Sequence, residues 1–296
     1  MRSKIGLLAF GLLVGTVSVA EAKTTSASQG TSQQVEITAD QTLEWYQDQG
    51  LYVARGNAKA VRGDLTVTAD ILTAHQREKP KDAAGKVQKP VSSEKKSDEA
   101  GDIDKMTADG TVVILKPNAR ITGDHAVDAM DQHVLVVTGK KLRYESDKQI
   151  VTARDSLEYW EETKMAVARG NAVAVKGDRQ VVGDVLTAEF RDQPNGSTQL
   201  YKMTALGNVT VVTKSDVTRG DKAVYDAARD VALVTGHVRI TRADGTELTG
   251  DVGESDFAAN QSRLMNDGSG RVRALLPARS TEKSGKTDKT ESGGEP

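Results

Sequence analysis

The chain has 296 residues, of which 37% are hydrophobic and only 4% aromatic, with a formal net charge of -2. That charge excludes an electrostatic search for nucleic acid, which needs a basic face, and the absence of cysteine removes disulfides as a source of stability. The length holds one large β-domain or two smaller ones, with few large side chains to fill an interior.

The chain opens with Arg2 and Lys4, an apolar run from Ile5 to about Ala20, and small residues at Ala20 and Ala22. This order predicts a secretory signal peptide over residues 1–22, cleaved after Ala22, and hence an exported protein. An uncleaved membrane anchor is the competing reading, but the run falls short of the roughly 20 residues a spanning helix needs. Gly11 and Gly15 weaken it further, and no later segment is apolar enough to span a membrane. A flexible lead-in over residues 23–34 is expected before the body.

From about Val35 to residue 278 the sequence repeats itself. Thr38 to Ala74 returns from Thr152 to Ala188 with about half the positions identical. Within that large repeat lies a finer one: a Gly is followed about thirteen residues later by a small residue and an Asp. The copies are Gly56 with Asp70, Gly110 with Asp124, Gly170 with Asp184, Gly207 with Asp221, and Gly236 with Asp251. Two and four places after each Gly stand Ala58 and Ala60, Val112 and Ile114, Ala172 and Ala174, Val209 and Val211, and Val238 and Ile240. Period two with apolar residues on one side predicts strands with one buried face, and Val67, just ahead of Ala69-Asp70, belongs to the same apolar set. The copy that starts at Gly139 is displaced by one residue, with Leu142 and Tyr144 apolar, so a bulge or register change is expected there. Self-similar β-units of this kind predict an elongated all-β fold whose neighbouring turns complete one another's core.

Two stretches lack any pattern. Residues 76–101 are rich in Lys, Glu, Pro and Ser and are expected to form a long disordered loop, and residues 279–296 a disordered tail. Pro194-Asn195-Gly196 marks a tight turn.

Catalytic and metal-binding constellations are missing from the pattern. His75, His125, His133 and His237 are scattered, without the spacing of a zinc motif. The recurrent Asp residues invite a calcium ladder, but only one appears per turn of roughly thirty residues. They read better as corner residues whose carboxylates accept backbone N–H bonds beside a small neighbour. Gly56-Asn57 and Gly170-Asn171 likewise read as bulges, because both residue types tolerate positive φ. No nucleophile elbow or phosphate loop is present, so an enzyme, a metal site and a cofactor are not expected.

Ile37-Thr38-Ala39-Asp40 with Leu43, then Ala54-Arg55-Gly56-Asn57-Ala58, then Ala69-Asp70 and Leu72, together resemble the repeat of the OstA-like family. Leu135 to Gly139 and Leu233 to Gly236 resemble that family's strand leading into its Gly, and Gly270-Arg271-Val272-Arg273 with Leu275, Leu276 and Pro277 its last strand. The resemblance covers most of the chain from Val35 to Pro277. The longer chain and the charged loop after Gln76 are departures from it.

The resemblance implies a twisted, open β-jelly roll with an apolar groove, periplasmic and passing lipopolysaccharide from the inner to the outer membrane. Its implied partners are lipopolysaccharide, the inner- and outer-membrane components of the transport machinery, and further copies of the chain joined end to end by edge-strand pairing. The groove would be lined by Ala58, Ala60, Val67, Val112, Ile114, Ala172, Ala174, Val209, Val211, Val238 and Ile240. From the residues alone, the same set fits the filled core of an ordinary β-sandwich. A polysaccharide-binding β-helix and a membrane-anchored member of the same bridge are the other readings. One continuous roll and two joined rolls are both compatible with the repeat.

Overall fold

The computed structural model describes residues 35–77, 103–146, 149–194, 196–259, 261–268 and 270–277. The expected signal peptide and lead-in, most of the charged loop and the tail lie outside these residues. The described chain is all-β, with a single 3-10 turn at Gln47–Gln49. Its strands are β1 (Glu36–Thr38), β2 (Thr42–Tyr46), β3 (Leu51–Arg62), β4 (Leu65–Gln76), β5 (Ile103–Lys116), β6 (Ala119–Ala129), β7 (Val134–Thr138), β8 (Leu142–Ser146) and β9 (Gln149–Ala153). They continue as β10 (Ser156–Trp160), β11 (Met165–Lys176), β12 (Arg179–Asp192), β13 (Thr198–Val212), β14 (Asp216–Asp226), β15 (Val231–Arg242), β16 (Glu247–Asp256), β17 (Gln261–Met265) and β18 (Arg273–Leu275).

Every long strand is bent at its middle and belongs to two walls. In β3, residues 51–55 pair with β2 and with the end of β4, while residues 58–62 pair with β1 and with the start of β4. The same split recurs along the chain, always antiparallel. The first wall runs β2, β3, β4, β5, β6, β7, β10, β11, β12, β13, β14, β15, β16, β17. The second follows the same path but takes β1, β8, β9 and β18 in place of β2, β7, β10 and β17. Rungs about 4.8 Å apart make each wall on the order of 60 Å long. This is a β-jelly roll of consecutive hairpins, the all-β fold that the repeat predicts and the jelly roll that the family resemblance implies.

The bend explains why Gly and Asp recur together. Gly56 (φ 79°) and Asn57 (φ 44°) take left-handed conformations, and these two residues of β3 turn the corner opposite one residue, Asp70, of β4. The Asp on one strand then lies over the Gly of the next: a Cβ on Gly110 would overlap the Asp70 carboxylate, and one on Gly207 the Asp184 carboxylate. The backbone N–H groups of Thr111, Lys140 and Asp267 donate to Asp70, Asp124 and Asp251 at 3.2, 2.7 and 3.3 Å. Asn208 Nδ2 donates to Asp184 at 2.9 Å, and His237 Nδ1 lies 2.8 Å from Asp221. The carboxylate therefore caps the corner of the following strand, not that of the Gly that precedes it in each sequence copy.

At Gly139 the corner is wider. Thr138 faces His125 and Arg143 faces Thr122, so five steps on this side match three on β6, and the strand breaks into β7 and β8. The next strand is broken too, as β9 and β10, yet both walls pair through the break without interruption.

Candidate functional site

The faces that the two walls turn toward each other form the core. The eleven residues expected to line a groove all lie on the second wall's inner face. Ala58, Val112, Ala172, Val209 and Val238, directly after the corners, are fully buried, and Ala60, Ile114, Ala174 and Ile240 nearly so. Val67 and Val211 are half-buried and pack against the same cluster.

The opposite wall was not foreseen as part of the site, although its signal stands in the sequence. Residues two and four places before each Gly mirror those after it: Ala108 and Met106 before Gly110, Val137 and Leu135 before Gly139, Met203 and Ala205 before Gly207. These are the inward residues of the first wall, joined by Leu157, Phe190 and Tyr225. Leu72, Met106, Leu157, Leu186, Phe190, Met203 and Tyr225 stand on the first wall among many alanines, whereas the second wall is richer in Val and has Leu142 and Tyr144 as its bulkiest members.

Three apolar cavities, each of about 40 Å³, follow one another along the interior. The first touches Ala60, Val67, Met106, Ile114 and Leu135, the second Leu135, Tyr144, Leu157 and Phe190, and the third Val211, Met203, Tyr225 and Phe257. A volume of this size admits a few waters and is too small for an acyl chain. A wider depression of about 480 Å³ lies outside the trough, against Lys105, Val127, Gln132 and Val136, and has a mixed polar surface.

Charge is confined to the rims. Beyond Ala60, Ile114, Ala174 and Ile240, the next inward positions of the second wall hold Arg62, Lys116, Lys176 and Arg242, and Arg179 stands two places before Val181. The facing positions of the first wall include Asp104, Asp128 and Asp192. Burial pushes the Asp128 carboxyl above the usual aspartate range, against the opposing pull of Arg62; Glu161 raises it further and Lys116 lowers it. Burial likewise raises the Tyr225 phenol, and Asp230, 3.2 Å from its hydroxyl, adds to the shift.

At the first end of the roll the inner face runs out into solvent. Leu43 pairs with Ala54 and Trp45 with Tyr52, so both share the inner face, yet they are 57% and 55% exposed. Trp45 stacks on Tyr52 with ring centroids 5.7 Å apart. At the other end Leu275 and Leu276 are exposed. Among the described residues, β1, β2, β17 and β18 each pair on one side only.

Histidines do not form a site. His125 Nδ1 lies 2.6 Å from Asp109 Oδ1, and His133 is near Glu161 and Glu162. Among the described residues no cluster of metal-ligating side chains occurs, and no helix is long and apolar enough to cross a membrane.

A family model described as "LptA/(LptD N-terminal domain) LPS transport protein" matches residues 36–154 and again 151–256, together about three quarters of the chain. The chain belongs to this lipopolysaccharide-transport family. The two matches meet at β9, one strand past the break at Gly139, and each spans one of the long sequence repeats. Among solved structures it is similar to LptH, the LptA-homologous periplasmic component of the conserved lipopolysaccharide transport device from Pseudomonas aeruginosa. That likeness has 18% identity, covers 44% of this chain and 95% of that one, and gives a TM-score of 0.38. No curated protein matches the chain.

Proposed function

We propose that this chain is a periplasmic bridge protein that carries lipopolysaccharide from the inner to the outer membrane, with the acyl chains held between its two walls. The observation that carries the reading is the unbroken apolar interior, running through every rung and ending in exposed Leu43 and Trp45. An acyl chain of about 12 carbons costs roughly 10 kcal/mol to expose to water at about 0.8 kcal/mol per methylene. A carrier that keeps several such chains dry removes most of that barrier. Aliphatic walls such as Ala60, Ala174 and Val211 impose no fixed geometry, which suits a ligand that must slide.

The cavities are too small for an acyl chain, so loading requires the rims to part while the Gly-Asp corners hold the walls together. One continuous roll is the simplest reading of the pairing across β7 to β10. End to end, the edge formed by β17 and β18 in one copy would extend the edge formed by β1 and β2 in the next, covering the exposed Leu43 and Trp45. Export rests on the expected signal peptide over residues 1–22, with the mature chain beginning at Lys23; a retained amino-terminal segment would instead favour the membrane-anchored member of the bridge.

Lipopolysaccharide co-purifying with the full mature chain, and exchanging with added labelled lipopolysaccharide, is the expected result. A folded chain that neither retains nor takes up the lipid would refute the reading in favour of a filled sandwich.

A further inference from the structure

Arg62, at the end of β3, and Arg179, at the start of β12, both stand at a rim of the interior. Each is the inward residue of the second wall nearest a hairpin, and each lines an apolar cavity. Each reaches across the mouth to the first wall and makes its direct contact with an uncharged group, Asp128 acting on Arg62 only at longer range. Arg62 Nη1 donates to Met130 Sδ at 3.4 Å, and the Arg179 guanidinium stands 4.6 Å from the Phe257 ring centroid. Among the described residues neither has a carboxylate within ion-pair distance, although twelve other basic side chains or histidines do so. Arg179 Nη1 is buried without any hydrogen-bond partner.

A guanidinium offers five N–H donors in a planar fork that matches phosphate oxygens. A thioether and an aromatic face are weak substitutes for an anion, and a buried N–H without an acceptor is a standing cost. A cation with unused donors on the lip of an apolar cavity fits one chemical class, a lipid whose acyl chain is joined to a phosphate-bearing headgroup. We propose that Arg62 and Arg179 are the headgroup contacts. Each leaves Met130 or Phe257 and takes a phosphate while the acyl chain fills the cavity behind it. Because the resting contacts also bridge the two walls, exchange for phosphate loosens the mouth at the point where the chain enters. This assignment rests on the lipid-carrier reading above.

The test uses the full mature chain and two probes: diphosphoryl lipid A, and the same lipid stripped of its phosphates. Each is equilibrated with the protein, the complex is isolated by gel filtration, and bound lipid is counted by mass spectrometry. The unaltered protein should retain about tenfold more of the phosphorylated lipid, as expected for charge-assisted hydrogen bonds. The paired Arg62→Gln and Arg179→Gln variant should lose that preference while holding the phosphate-free lipid at the unaltered level, which also establishes that it is folded. Arg62→Lys with Arg179→Lys should keep part of the preference. Equal retention of both lipids by the unaltered chain, or an intact preference in the Gln pair, overturns the headgroup assignment and leaves lipid carriage standing; retention of neither lipid overturns both.

Discussion

The small residue that precedes each corner Asp has a packing reason as well as a conformational one. A Cβ at Gly123 would come 2.5 Å from Val137 Cγ1, and one at Gly220 would come 2.6 Å from Val234 Cγ1, both inward residues of the next strand. Gly123→Ala is therefore expected to destabilise by about 1–3 kcal/mol, the usual cost of overpacking, read as a lower denaturant midpoint with an unchanged slope. Asp124→Ala removes the acceptor of the Lys140 N–H and should cost about 1 kcal/mol. Asp128 acts in the opposite direction. Its native carboxyl holds a proton more tightly than the unfolded chain does, because burial disfavours the charge. Its contribution to stability is therefore full at low pH and is lost as pH rises from the ordinary aspartate range through the raised native value. Asp128→Asn should raise the denaturant midpoint at pH 7 and give no gain in acid; a lower midpoint at pH 7 would show that the rim cations outweigh burial.

At the scale of the strand, the sequence carried the corners well. Gly followed by apolar residues two and four places on located the second wall, and the small-Asp pair located the caps, because both patterns are local and repeat. The strand on which each Asp acts was not legible. Asp70 follows Gly56 in sequence but caps Gly110, since pairing across a hairpin of unknown length decides the neighbour. The first wall was missed for another reason: Met106, Leu135, Met203 and their like vary in size, so their period is less visible than that of Ala and Val. The displacement at Gly139 was legible as a change of register, and the structure adds that two adjacent strands are broken there. The terminal strands give an element-scale prediction. Removing residues 270–296 takes away β18, which touches only β16, so the body should stay folded while assembly weakens. Light scattering should report smaller particles, and an unchanged size distribution would show that this edge is not the joint.

For the whole molecule, two copies of a family domain are fused into one pair of walls, and the fold is set by antiparallel hairpins between consecutive strands. Such a chain can lengthen a trough simply by adding turns, which is the physical advantage of a repeat over a pocket. Cavity size was the least legible property. Ala and Val at the inner positions suggested an open channel, but Met106, Leu157, Phe190, Met203 and Tyr225 project from the facing wall and the interior pockets beside them are small. On the proposed function, carriage depends on how readily the rims separate, since a ligand must reach residues that are buried at rest. Photo-crosslinking side chains placed at Ala60 or Val211, on the inner face, and at Lys59 or Arg239, on the exposed face, test this directly in cells transporting lipopolysaccharide. The inner positions are expected to capture the lipid and the outer ones to capture far less; equal labelling of the two faces would contradict carriage between the walls.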